Sequence, residues 1–166
     1  MTSYSIKGSW AGELAIVPRP RGGDWLPDEV EALKHEGFDI IVSLLTRQEI
    51  EELDLQREAE LVEKYGLEFR NYPIPDLGVP DSRDLFRHFL ERLHEDLRAG
   101  KKIAVHCRGG IGRSGLVASS ILVLSGIKPS RAIQQVTDAR GVCAPETEEQ
   151  KEWVASLTIE RERSIA

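Results

Sequence analysis

Apolar residues fall along this chain in two rhythms, short unbroken runs and stripes at helical spacing, and the two alternate from end to end. The unbroken runs are residues 13–17 (ELAIV), 39–45 (DIIVSLL) and 102–106 (KIAVH). Each has the length of a strand, and 39–45 is apolar enough to be covered on both faces of a sheet. Residues 67–72 alternate more weakly and read as a further strand, broken by Pro73-Ile74-Pro75. Helical spacing appears in 27–37 through Val30 and Leu33, with Gly37 as terminator, and the charged stretch 49–65 reads as one helix ended by Gly66. Asp81 is placed to cap a helix running to about Arg98, whose apolar stripe is Leu85, Phe86, Phe89, Leu90, Leu93 and Leu97. Residues 112–125 are small and apolar on all sides, which predicts a central helix, and 129–138 and 145–159 each begin near a proline and close the chain as helices. Strands alternating with helices give an α/β fold: one central mixed, mostly parallel sheet of four to five strands, with helices on both faces. The 166 residues are expected to form one domain, with 1–10 and 160–166 at its periphery.

Composition narrows the partners. With 40% hydrophobic residues the chain can bury a core without a metal or disulfide, and a net charge of −6 argues against nucleic acid or an acidic membrane surface as a partner. The run 116–127 is interrupted and too short to span a bilayer, and the first eight residues lack a basic-then-apolar leader. Two cysteines do not make a disulfide framework. The expectation is a cytoplasmic, reduced chain with no stable membrane association, monomeric, needing no cofactor.

The stretch with the most chemistry in it is His106-Cys107-Arg108-Gly109-Gly110-Ile111-Gly112-Arg113-Ser114, lying between a buried strand and a helix. A helix N-terminus offers unpaired N–H groups and a favourable dipole, and three glycines in four positions let the preceding loop curl with its amides inward. The backbone of Arg108, Gly109, Gly110, Ile111 and Gly112 then forms a nest for phosphate oxygens. Cys107 opens it as a thiolate nucleophile, and Arg113 closes it with a planar fork suited to two phosphate oxygens. Ser114 is placed to hydrogen-bond the sulfur, and His106 to order the loop through a backbone hydrogen bond. Arg108 must point outward, towards whatever surrounds the phosphate. Expulsion of an alkoxide or phenolate also needs a general acid. Asp76, on the proline-stiffened loop 72–81, is the best candidate; the rival, Asp81, is better used as the helix cap.

These residues match the H-C-x5-R-[S/T] signature, and the chain resembles the protein-tyrosine phosphatase superfamily, in particular its small dual-specificity, cyclin-dependent-kinase-inhibitor-3-like branch. The Cys-to-Arg span is one residue longer than the loop of sulfurtransferases. The resemblance implies a metal-independent hydrolase acting on phosphotyrosine, and on phosphoserine or phosphothreonine, in proteins or peptides through a cysteinyl-phosphate, with Asp76 as acid and then base. Phosphoinositides or other small phosphate esters are the alternative substrates, and a phosphate-binding module with little turnover the alternative class. The segment after the phosphate helix departs from the family's Arg-Pro-Gly at Gly141-Val142-Cys143, so Arg140 and Gln150 are read as structural. Cys143 is read as a small core residue rather than a disulfide partner of Cys107. The His88, Glu91 and His94 spacing lacks a second ligand pair and is read as a solvated helix face. Arg19, Arg21 and Arg47 are read as surface arginines.

Overall fold

The computed structural model describes residues 2–165, with side chains as far as Leu157. Two strands open the chain, β1 (Tyr4–Ile6) and β2 (Glu13–Ile16), followed by α1 (Leu26–His35), β3 (Ile40–Ser43), α2 (Arg47–Glu52), α3 (Glu58–Lys64) and β4 (Glu68–Asn71). Then come α4 (Arg83–Arg98), β5 (Lys102–His106), α5 (Gly112–Leu124), α6 (Pro129–Arg140) and α7 (Glu148–Ile165). The sheet order is β1-β2-β5-β3-β4, with β1 antiparallel to β2 and every other pair parallel. This is the expected α/β fold with a mixed, mostly parallel sheet of five strands.

Alternation along the strands decides which side chain meets which layer. Ile16, Ile40, Val42, Ile103 and Val105 face a core built with α4, α5, α6 and α7, while Ala15, Ile41 and Ala104 face a second core with α1 and α3. The helix α5 is buried from Gly112 to Val123, as a chain apolar on all sides must be. Because β2, β3, β4 and β5 run in parallel, their C-terminal ends lie along one edge of the sheet, where ligands of open α/β sheets bind. The loops after them carry Arg19, Thr46, Asp76 and Cys107 respectively.

Four expectations change. The stretch 49–65 is two helices, not one: Asp54 takes a left-handed backbone (φ 55°), which turns Leu55 into the second core. Burial of Leu55 outweighs the helical preference of the charged residues around it. The cap of α4 is Ser82, whose Oγ accepts the Leu85 N–H at 3.3 Å, so Asp81 is not the cap. Leu85 is 67% exposed and leaves the apolar stripe to Phe86, Leu90, Leu93 and Leu97. At the N-terminus, read only as peripheral, residues 4–6 form the edge strand, with Ile6 buried in the core. The closing segment 160–166 lies outside the residues whose side chains are described.

Candidate active site

The loop between β5 and α5 begins with Cys107, which is buried and whose Sγ accepts the Gly110 N–H at 3.2 Å. Two arginines take hold of the loop carbonyls from outside. The guanidinium of Arg19 donates to the Arg108 carbonyl at 2.8 Å, and Arg140 Nε donates to the Gly110 carbonyl at 2.7 Å. In a trans peptide the C=O and the following N–H point opposite ways, so these contacts turn the Gly109 and Ile111 amides away from the two arginines. Among the loop glycines only Gly110 has positive φ (70°), so one glycine, not three, is required by conformation. No side chain caps the first turn of α5 and none of its residues is acidic, which leaves its amides and dipole open to an anion.

Arg113 is 1% exposed, and its two terminal nitrogens donate to four oxygens on three residues. Glu49 accepts from both terminal nitrogens, at 2.6 and 2.8 Å; the Ile74 carbonyl accepts at 2.8 Å and Asp76 Oδ1 at 3.1 Å. Glu49 is in turn fixed by a capping box: Thr46 Oγ1 accepts the Glu49 N–H, and the Glu49 carboxylate accepts the Thr46 N–H at 3.1 Å. Burial alone would raise the Glu49 pKa, but the hydrogen bonds from Arg113 and the Thr46 amide outweigh it and hold the carboxyl below its ordinary value. The same pairing outweighs burial at Arg113 and keeps its pKa raised.

Asp76 reaches this cluster because Ile74, fully buried, bonds its N–H to the Leu44 carbonyl and so extends the β4 path alongside the end of β3. The Asp76 carboxylate is 57% exposed and also accepts the Leu77 N–H at 3.0 Å. Together Asp76, Leu77, Glu146, Arg113 and the loop Cys107, Arg108, Gly109, Ile111 and Gly112 surround a cavity of about 250 Å³. The structure thus brings Cys107, Arg113, Asp76 and the loop together around one cavity. Beside it, Arg108 is half exposed and donates to Glu52 at 3.1 Å.

Several expected contacts differ. His106 is ordered by a carboxylate, not by a backbone group: its Nε2 lies 2.6 Å from Glu58 Oε1, with both side chains buried. The buried hydroxyl of Ser114 makes no hydrogen bond, to the sulfur or to anything else, and the Gly110 amide occupies the sulfur instead. Cys143 is exposed rather than a core residue, and both cysteines are free. Arg19 is tied to the loop, whereas Arg47, 93% exposed, is the surface residue expected. His94 packs edge-on against Trp10 instead of standing free in solvent.

Glu49 and Glu58 escaped the sequence reading, whereas Gln150 has the structural role expected of it. The Thr46-x-x-Glu49 capping box was a usable signal for the first, whereas Glu58 looked like one more acid in a charged helix. Gln150 is buried; its Oε1 accepts the Glu146 and Thr147 amides, and its Nε2 donates to the Gly78 carbonyl at 3.0 Å. It therefore ties the Asp76 loop to the start of α7.

The sheet, with its cysteine loop between β5 and α5, defines a protein-tyrosine-phosphatase fold. A solved kinase associated phosphatase, bearing serine for its catalytic-site cysteine, superposes with a TM-score of 0.83 at 27% identity, covering 95% of this chain and 90% of that one. The active form of Tk-PTP superposes with a TM-score of 0.78 at 31% identity, covering 95% and 96%. Within that class, residues 24–133 match the profile of cyclin-dependent kinase inhibitor 3 (CDKN3), and the chain belongs to that family. The Rattus norvegicus cyclin-dependent kinase inhibitor 3 is 33% identical over 128 residues, which is 76% of this chain. The match spans 60% of the length of that relative. No described helix is long and apolar enough to cross a membrane.

Proposed function

We propose that this protein hydrolyses phosphate monoesters on proteins, phosphotyrosine and also phosphoserine or phosphothreonine, with Cys107 as nucleophile and no metal. The observation that carries the reading is the convergence of Cys107, the backbone of the loop that follows it, the Arg113 guanidinium and the Asp76 carboxylate on one cavity. The kinship to a kinase associated phosphatase supports a phosphoprotein as substrate. A reducing, cytoplasmic setting suits the thiol.

The Cys107 sulfur lies at the base of the nest, held by the Gly110 amide beside the start of α5, and acts as the nucleophile. An arriving phosphate dianion takes the amides and competes with Asp76 for the outer nitrogen of Arg113; Glu49 holds the guanidinium in place during the exchange. Freed from Arg113, Asp76 takes up a proton from solvent and faces the leaving-group oxygen. The sulfur lone pair forms the S–P bond as the P–O ester bond breaks, and the Asp76 proton goes to the departing oxygen. Asp76, now a carboxylate, takes a proton from water as the water oxygen attacks phosphorus, and the S–P bond electrons return to Cys107. In this reading the Ser114 hydroxyl, buried and without a hydrogen-bond partner, rotates to donate a hydrogen bond to the departing sulfur.

Release of inorganic phosphate from phosphotyrosyl and phosphothreonyl peptides, with wild type, Cys107→Ser and Asp76→Ala compared in EDTA, tests this. Turnover that survives EDTA, vanishes in the serine variant and drops about 10²–10⁴-fold in the alanine variant supports it. Peptide turnover by Cys107→Ser would overturn it.

A further inference from the structure

Beside the reaction cavity lies a second, larger one of about 600 Å³, lined by Pro18, Arg19, Pro20, Arg21, Gly22, Leu53, Arg108 and Gly109. The two cavities share Arg108 and Gly109 as a common wall. Three of the eight lining residues are arginines and none is acidic, in a chain whose net charge is −6. Arg21 is neutralised by Glu29 at 2.7 Å and lies over the Trp25 ring, and Arg108 pairs with Glu52. Arg19 differs. One terminal nitrogen reaches the Arg108 carbonyl, and no carboxylate pairs with the guanidinium among the described residues. An exposed guanidinium fixed at one nitrogen retains donors suited to a carboxylate or phosphate.

The cavity is also built to hold its shape. Pro18 and Pro20 restrict the backbone on either side of Arg19. The Val17 N–H bonds the Val105 carbonyl, and the Gly23 N–H bonds the Asp54 carbonyl at 3.0 Å, so both ends of the loop are pinned to the sheet and to the α2–α3 break. A Cβ on Gly22 would meet the Leu53 carbonyl oxygen at 2.1 Å, so only glycine lets the loop lie against that floor.

We propose that this cavity is a recognition subsite for a second anionic group on the substrate, an acidic side chain or a second phosphate beside the phosphorylated residue, with Arg19 as its principal donor. The subsite rests on the reading of the neighbouring cavity as a protein phosphatase site and names the substrate class that site would select.

The test uses matched phosphotyrosyl peptides in which one neutral glutamine is replaced by glutamate or phosphoserine, moved one position at a time along the peptide. Because Arg19 also holds the phosphate loop, Arg19→Gln slows every substrate, so the quantity read is the acidic-to-neutral ratio of kcat/KM within each variant. The wild-type ratio at the best position is about three- to tenfold, resides mainly in KM and falls with salt. It drops to near one in Arg19→Gln and is partly kept in Arg19→Lys. If Arg19→Gln does not fold, the salt dependence of the wild-type ratio serves in its place, and a ratio that does not fall with added salt overturns the subsite. Hydrolysis of all peptides with a wild-type ratio of one at every position, or a ratio unchanged in Arg19→Gln, overturns the subsite alone. Failure of Cys107-dependent hydrolysis on every peptide overturns the protein-phosphatase reading and the subsite with it.

Discussion

Replacing Glu49 by glutamine removes a negative charge from beneath a guanidinium that has almost no access to water. The two side chains are 8% and 1% exposed, so solvent does little to screen the pair or to compensate for its loss. Glutamine keeps the shape and one acceptor oxygen, but its amide group must face a guanidinium nitrogen that now receives an oxygen at 2.6 or 2.8 Å. Losing a charge-assisted hydrogen bond costs about 1.5–3 kcal/mol, and breaking a buried ion pair by removing one partner about 3–5 kcal/mol. With the remaining oxygen still accepting, a loss of about 2–4 kcal/mol is expected for Glu49→Gln. In a chain of this size that lowers the melting temperature by roughly 5–15 °C. Catalysis should suffer separately, because Arg113 keeps only the Ile74 carbonyl and Asp76 as strong anchors and no longer presents a fixed fork to phosphate. Thermal melts followed by circular dichroism, together with kcat and KM on p-nitrophenyl phosphate well below the variant's melting range, measure the two effects. A Glu49→Gln protein that melts with the wild type and keeps its kcat/KM would refute the claim that this pair positions Arg113.

The remaining expectations concern the same network. Since the folded-state pKa of Glu49 lies below its unfolded value, the unfolded chain takes up the proton first as pH falls. The stability advantage of wild type over Glu49→Gln is therefore full above the ordinary glutamate range and shrinks as pH drops through it; melts between neutral and strongly acid pH show this, and a constant gap would contradict it. Glu58→Ala leaves His106 without its carboxylate and costs about 2–4 kcal/mol in urea unfolding, whereas Glu58→Gln, which keeps an acceptor, costs less than about 1 kcal/mol. Gln150→Ala loosens the Asp76 loop by removing the tie to the Gly78 carbonyl, so turnover of an alkyl phosphate falls more than that of p-nitrophenyl phosphate, whose leaving group needs less protonation. Equal losses on both substrates would place Gln150 outside the acid step.

What the sequence revealed of this site follows from the range of the interactions involved. The phosphate loop was legible because strand, glycines, cysteine, arginine and helix start are consecutive, and each is recognisable from its neighbours. Asp76 was legible because a proline-rich loop after a strand must emerge at the C-terminal edge of a parallel sheet. Glu49 and Glu58 act on residues 64 and 48 positions away, and local periodicity reads both as ordinary acids on a solvated helix. The break between α2 and α3 was hidden for the same reason: a burial site for Leu55 exists only once the sheet and α1 are in place. Strand β1 is too short and polar to stand out, and it forms because Tyr4–Ile6 can pair with β2 and bury Ile6.

The most direct test of the central claim is to look for phosphate on Cys107 itself. Asp76→Asn should slow attack by water on a cysteinyl-phosphate more than it slows expulsion of p-nitrophenolate, so rapid acid quench of that variant with p-nitrophenyl phosphate lets the intermediate accumulate. Mass spectrometry of the digested protein is predicted to find one phosphoryl group on the peptide containing Cys107, absent when Cys107→Ser is added. Burst release of p-nitrophenolate with phosphate on another residue, or turnover that persists without Cys107, would contradict the account.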